Sequence, residues 1–185
     1  MTTHFTARVR LTREHAQAPL ALALGKPDGH IIEAADIYRL YFHGPAYQVI
    51  EKAWWDGKRL IGLMSNHLPP NHLPAELSTV VQPRLIELCF QTAGIWKLGV
   101  QGRMGLPQRV CQISLYRPAA TDSKLYAVLT PDATCGSFDV DVVDSQGNCI
   151  LRLTGYQTVA LPNAVNAKHL KALQEIMSGD AILVA

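Results

Sequence analysis

Pro83-Arg-Leu-Ile-Glu-Leu-Cys-Phe-Gln-Thr-Ala-Gly-Ile-Trp-Lys-Leu98 is the stretch whose reading decides the fold of this chain. Pro83 suits the first position of a helix, where its missing N–H leaves no bond unmade, and Gly99 predicts the stop. Leu85, Ile86, Leu88, Cys89, Phe90, Ala93, Ile95 and Trp96 cover nearly the whole circumference of that helix. A helix that is apolar on every side has to be buried on every side. The rest of the chain must therefore supply a wrapping.

Outward from the helix, the flanks read as that wrapping. After it come β-prone runs at Val110–Tyr116, Leu125–Leu129, Phe138–Val143 and Cys149–Ala160, with a turn at Asp144-Ser-Gln-Gly147. Before it, two β-prone runs between Tyr47 and Met64 flank Asp56-Gly57, a hairpin signal because both residues tolerate positive φ. Between hairpin and helix, Asn66-His-Leu-Pro-Pro-Asn-His-Leu-Pro74 reads as a loop, since proline lacks the N–H a sheet ladder needs. Ile31 to Tyr41 reads as a short helix closed by Gly44-Pro45. Hairpin, buried helix and four strands in that order predict an α+β fold. It is an antiparallel sheet wrapped around a central buried helix, the hotdog architecture.

The ends read differently. Phe5, Ala7, Val9 and Leu11 alternate with Thr6, Arg8, Arg10 and Thr12, the period of a half-buried strand. Val165, Leu170, Leu173, Ile176 and Met177 recur at helical spacing and predict an amphipathic helix over Ala164–Met177. The expected division is an N-terminal strand and linker over 1–30, the hotdog over 31–161, and a helical tail over 162–185.

Composition narrows the function. The chain has 185 residues, 48% hydrophobic and 17% charged, enough for one well-buried core. Net charge is +2 and no Lys/Arg-rich run occurs, which argues against a nucleic-acid surface. No apolar stretch is long enough to cross a bilayer, and the first residues lack the apolar segment of an export signal, so the expected location is cytoplasmic. Cys89, Cys111, Cys135 and Cys149 are far apart, which predicts buried reduced thiols and no metal site. No glycine-rich phosphate loop is present, and no cofactor is implied.

Chemistry enters with Glu87, a carboxyl in the middle of the apolar helix. Burying an ionised carboxylate is costly, and a carboxyl held near neutrality can act as a general acid or base. Gln91 lies one turn on and faces the same way. The same spacing would also arise if both residues simply emerged at an open edge of the sheet. His43, in Tyr41-Phe-His-Gly-Pro-Ala-Tyr47, has the side chain best suited to shuttling protons near pH 7. A histidine beside a turn is equally read as a surface residue or a satisfied hydrogen-bonder.

Tyr38-Arg-Leu-Tyr-Phe-His-Gly-Pro-Ala-Tyr47 resembles the "YGPxF"-type segment that opens the second hotdog of polyketide synthase dehydratases. Pro83-Arg-Leu-Ile-Glu-Leu-Cys-Phe-Gln91 is similar to that family's Pro-x-Leu-Leu-Asp-x-x-x-Gln helix. Leu106-Pro107 stands where the family often has Leu-Pro, and Asp141-Val-Val-Asp-Ser-Gln-Gly147 and Leu153-Thr-Gly-Tyr156 look like its closing strands. The resemblance runs from about Ile32 to Leu161. Phe5–Leu11 is similar to the last strand of a preceding hotdog.

The family dehydrates a β-hydroxyacyl thioester on an acyl carrier protein. A His of the first hotdog takes the α-proton, and an Asp on the second hotdog's helix protonates the departing hydroxyl. The resemblance puts Glu87 in the Asp position, Gln91 in the Gln position, His43 where the "YGP" Tyr stands, and Tyr47 at the following aromatic. Gly44, Pro45, Tyr47 and Pro107 would line the substrate groove. No His-x-x-x-Gly-x-x-x-x-Pro motif occurs, so the family's own base is missing.

Several roles follow. Glu87 and His43 could form an acid–base pair within one hotdog, or the chain could be one half of a dehydratase whose other hotdog supplies the His. It could instead bind an acyl chain or carrier protein without catalysis, or serve as a scaffold. A thioesterase using Glu87 to activate water is the further alternative. The expected partners are an acyl carrier protein or its phosphopantetheine-linked acyl chain, with homodimerisation or pairing to another hotdog.

Overall fold

The computed structural model describes residues 5–13, 16–70, 82–120, 123–132, 136–161, 170–171 and 173–174. The long helix forms where the sequence places it, as α2 over Pro83–Gln101, with Pro83 in its first turn. It runs past the expected stop at Gly99. Gly102 ends it instead, with φ 65 and its N–H on the Leu98 carbonyl, a left-handed cap that glycine adopts without a Cβ clash. Gly99 stays helical because it is buried, and burial outweighs its weak helix propensity.

The sheet begins at β1 (Ile31–Glu33), and a single helical turn follows, α1 (Ala34–Ile37). The expected helix from Ile31 to Tyr41 is thus much shorter. Ile31 and Ile32 pair with Trp54 and Ala53, and β-branched residues beside an open edge favour the ladder. The hairpin forms as expected from β2 (Ile50–Trp55) and β3 (Leu60–Met64). Its register is irregular at one point. Ile50 faces Met64 and Lys52 faces Leu63, so Glu51 is an extra residue, a bulge.

After α2 come β4 (Gly105–Arg109), β5 (Gln112–Leu115), β6 (Leu125–Asp132), β7 (Ser137–Asp144) and β8 (Cys149–Ala160). All pairings are antiparallel, in the order β1-β2-β3-β6-β7-β8-β4, and β5 joins β8 beside β4. The strand β4 lies ahead of the β-prone runs read from the sequence after the helix, the first of which begins at Val110. At the sheet's edge a proline is tolerated, and the register shifts between Pro107 and Arg109.

The sheet curls around α2, which touches β2, β3, β4, β6, β7 and β8. Leu85, Leu88, Ile95 and Leu98 are almost wholly buried against Ala53, Leu60, Leu129, Val140, Val142, Leu151 and Leu153. Each such leucine or isoleucine contributes about 1.5–3 kcal/mol. Two positions let the backbones come close: a side chain at Gly62 would meet Thr92, and one at Gly94 would strike the Tyr41 hydroxyl.

The N-terminal stretch does not form the expected strand. Phe5, Val9 and Leu11 are exposed and residues 5–12 have no regular structure. Alternation records a preference for extended backbone, but a strand needs an edge to pair with. Farther on, Leu22–Asp28 lies as a strap across the outside of the sheet. Leu22 N–H donates to Gly147, Arg59 to the Ala23 carbonyl, Trp54 Nε1 to Gly25, and Asp28 N–H to Trp55.

Of the C-terminal helix expected over 164–177, only four residues lie within the described set; these are helical, and Leu170 and Leu173 are buried. Cys89 and Cys149 are buried free thiols, whereas Cys111 is exposed, which corrects the expectation for that one; Cys135 lies outside the described residues.

Candidate active site

The structure brings Glu87, Gln91 and His43 together. His43 Nε2 lies 2.9 Å from Glu87 Oε1, with the two side chains 19% and 22% exposed. Gln91 Nε2 donates to the same oxygen at 3.0 Å. Both nitrogens converge on Oε1, and no described group bonds Oε2. Glu87 is therefore neither sealed in the core nor loose in solvent.

The i, i+4 spacing on α2 explains the Glu87–Gln91 contact, but His43 arrives from 44 residues earlier in sequence, and two tyrosines explain how. Tyr41 Oη donates to the main-chain carbonyl of Gln91 at 2.7 Å, fixing the segment against the helix where Gly94 makes room. Two residues on, His43 meets Glu87. Its ring lies against Tyr41 and stacks on the exposed Phe42 at 4.7 Å between centroids. Its Nδ1 is buried and has no hydrogen-bond partner among the described residues.

Tyr38 makes the second anchor. Its hydroxyl donates to Gln91 Oε1 at 2.7 Å and accepts the Ile50 N–H at 2.7 Å. Burial pushes the Tyr38 phenol well above the ordinary tyrosine range, aided by the Glu87 charge and opposed by the Ile50 N–H. Burial raises Tyr41 and Tyr156 likewise, and Glu87 again adds to each. Burial thus keeps all three phenols protonated.

Gly44 and Pro45 are exposed and open a 3-10 turn, Pro45–Tyr47, in which Tyr47 N–H bonds the Gly44 carbonyl at 2.9 Å. The Tyr47 carbonyl accepts Gln91 Nε2 at 2.8 Å, so this turn is tied to the site through its backbone. Arg84 secures it from the other side, donating to the Ala46 carbonyl at 3.0 Å and to the Pro69 carbonyl. Of the expected loop over 66–74, residues 66–70 are described, and Leu68 packs on the core.

Pro107 is not brought to this cluster. It sits exposed on β4 opposite Thr158, beside the part of α2 that carries Lys97. Lys97 lies ten residues along the helix from Glu87, about 15 Å at the rise of an α-helix. The residues that sequence reasoning left without a role are Tyr38, Tyr41 and Arg84. Tyrosines at helical spacing read as core, and only the fold shows their hydroxyls reaching Gln91.

An antiparallel sheet curled around one long buried helix defines a hotdog protein, and here the helix's single acid is paired with an amide one turn on. Residues 32–168 match the family model described as the polyketide synthase dehydratase N-terminal domain, and the chain belongs to the polyketide synthase dehydratase family. Its fold is similar to that of a trans-AT polyketide synthase dehydratase domain from Brevibacillus brevis, with TM-score 0.64 and 20% identity over 80% of this chain and 56% of that one. It is also similar to the dehydratase domain of the CurF module of the curacin polyketide synthase, with TM-score 0.61 and 22% identity over 82% and 55%. The dehydratase domain of the CurJ module of the same synthase gives TM-score 0.58 and 20% identity over 84% and 56%. The chain spans little more than half the length of each of these structures. No curated protein matches it. No described helix is long and apolar enough to cross a membrane, and the described residues contain no cluster suited to a metal ion.

Proposed function

We propose that this chain is the acid-bearing hotdog of a dehydratase acting on a β-hydroxyacyl thioester presented by an acyl carrier protein. The observation that carries the reading is the carboxyl of Glu87, with Oε1 accepting the Gln91 N–H and lying 2.9 Å from His43 Nε2, and Oε2 unbonded among the described residues. A carboxyl so held can keep its transferable proton on Oε2, and these two nitrogens then stabilise the anion that forms when the proton leaves.

In the reaction, a base removes the α-proton and that electron pair becomes the C=C bond. The β C–O bond breaks, and Glu87 Oε2 gives its proton to the departing oxygen, releasing water and an α,β-unsaturated thioester. His43 does not suit the base role that its residue type suggests. Its Nε2 is engaged by Glu87 and its Nδ1 is buried, so neither nitrogen faces a substrate. The α-proton base then comes from a neighbouring hotdog, and His43 and Gln91 orient the acid. A base supplied from outside favours the second, acid-bearing position of a hotdog pair for this chain, with Tyr47, Gly44 and Pro45 at the mouth of the site, although the family model it matches is described as an N-terminal domain.

The test is a mass assay for loss of water from a β-hydroxyacyl pantetheine or carrier-protein thioester, with the chain alone and with a His-bearing hotdog added. Turnover that requires the added hotdog and disappears in Glu87→Gln supports the reading. Turnover by the chain alone that needs His43 would instead make the His43–Glu87 pair self-sufficient. Hydrolysis of the thioester would make Glu87 a water-activating base.

A further inference from the structure

Resting on that reading, we propose that Tyr38 is the positioning residue that sets which oxygen of Glu87 carries the proton. The direction of each hydrogen bond follows from what its neighbour can do. Ile50 N–H can only donate, so Tyr38 Oη accepts it and keeps its own hydrogen free for Gln91. The phenol hydrogen then needs an acceptor, so the amide of Gln91 must turn its oxygen to Tyr38. Its nitrogen is thereby turned to the Tyr47 carbonyl and to Glu87 Oε1.

Gln91 is thus committed as a donor toward Glu87. In the opposite orientation its oxygen would accept an O–H from Oε1, and the acid's proton would settle inside the network instead of facing the substrate. Burial keeps the Tyr38 phenol protonated, so the donor does not lapse as pH rises through the neutral range.

His43 closes the other escape. A proton on Oε1 could point at Nε2 only if the imidazole carried its hydrogen on Nδ1. Nδ1 is buried without a partner, and a buried unsatisfied N–H is the costlier arrangement. The hydrogen therefore sits on Nε2 and is donated to Oε1. With donors from both sides on Oε1, the transferable proton has one place left, Oε2.

Tyr38→Phe keeps the ring and removes only the directing hydrogen. The expected result is a fall in kcat of about 10–100-fold, the range of a misaimed catalytic group, with KM changed little. In a Gln91→Ala background the same substitution should change kcat by less than about two-fold, because no amide remains to direct. A similar loss in both backgrounds would overturn the proposal and make Tyr38 a packing residue.

A readout independent of turnover is the Gln91 side-chain amide in the 15N–1H NMR spectrum, assigned by its disappearance in Gln91→Ala. Tyr38→Phe should shift or broaden that pair of resonances. Unchanged resonances overturn the proposal whether or not any thioester is dehydrated, whereas a shifted pair with no turnover in the native chain overturns only the dehydratase reading.

Discussion

Asp141 and Glu87 are carboxylates held by nitrogen donors on opposite sides of one sheet. Asp141 points outward from β7 while its neighbours Val140 and Val142 point in to the helix. Arg152, its cross-strand partner, grips it with both arms at 2.6 and 2.8 Å. Guanidinium and carboxylate match atom for atom, and each carboxylate oxygen is used. Glu87 has two donors as well, yet both fall on the same oxygen. The outer pair is closed and therefore structural. The inner one is half open, and an open oxygen is what proton transfer needs. The neighbouring thiol fits the closed side: burial, with the Asp141 charge behind it, pushes Cys149 up to about 12, so it stays an inert thiol.

The sharpest way to break this comparison is to remove each pairing and read both activity and stability. Glu87→Gln should cost about 100–10,000-fold in dehydration, while Tm moves by no more than about 2 °C, since the amide can keep the contacts to His43 or Gln91. If stability collapses and activity survives, the roles assigned to the two carboxylates are reversed.

Gly94→Ala probes how the open side is held without touching its chemistry. A methyl group there would push on the Tyr41 hydroxyl and displace the segment that delivers His43. The expected loss is about 10-fold in kcat, with a secondary-structure spectrum like that of the native chain. Unaltered kinetics would show that Tyr41 does not set the position of His43.

Arg152→Met should do the opposite of Glu87→Gln, leaving kcat unchanged and removing about 1–2 kcal/mol, a fall of about 3–6 °C in Tm. The smallest effect concerns Asp144 in the β7–β8 turn. Burial would raise its carboxyl, but bonds from Asn148 and from the Gln146 N–H outweigh that and hold it below the usual aspartate range. A carboxyl lowered in the folded state stabilises at pH above its unfolded value, and that contribution is lost as pH falls through the folded value. Asp144→Ala should lower Tm by about 2–4 °C at pH 7, and the gap to the native chain should narrow below about pH 4. A gap constant with pH would mean that the turn depends on shape alone.

How far the sequence foretold these two regions depends on the range of the interactions. The buried helix and the Asp56-Gly57 hairpin were legible because their signals are local: one period, one turn pair. Glu87 and Gln91 were legible as a pair for the same reason, one turn apart. The third partner, His43, was legible as a candidate from its imidazole beside the Gly44-Pro45 turn, but its contact with Glu87, 44 residues away, was not. Tyr38, Tyr41 and Arg84 were illegible as site residues, because a hydroxyl or guanidinium that reaches a distant carbonyl leaves no trace in spacing. Phe5–Leu11 failed in the reverse sense: its alternation is strong, but pairing is a property of two segments, and the second was not there to read. The strand at Gly105–Arg109 was illegible for a related reason, since an edge position that tolerates Pro107 can be recognised only once the sheet is assembled.

The extra residue in β2 has a reach beyond the hairpin. Glu51 lies next to Ile50, whose amide donates to the Tyr38 phenol and, through it, reaches the acid's own neighbour. Transplanting the helix residues alone onto another scaffold would thus carry over an acid without its aim. Part of what holds the acid's neighbour is a main-chain N–H of a strand, outside the set of functional side chains.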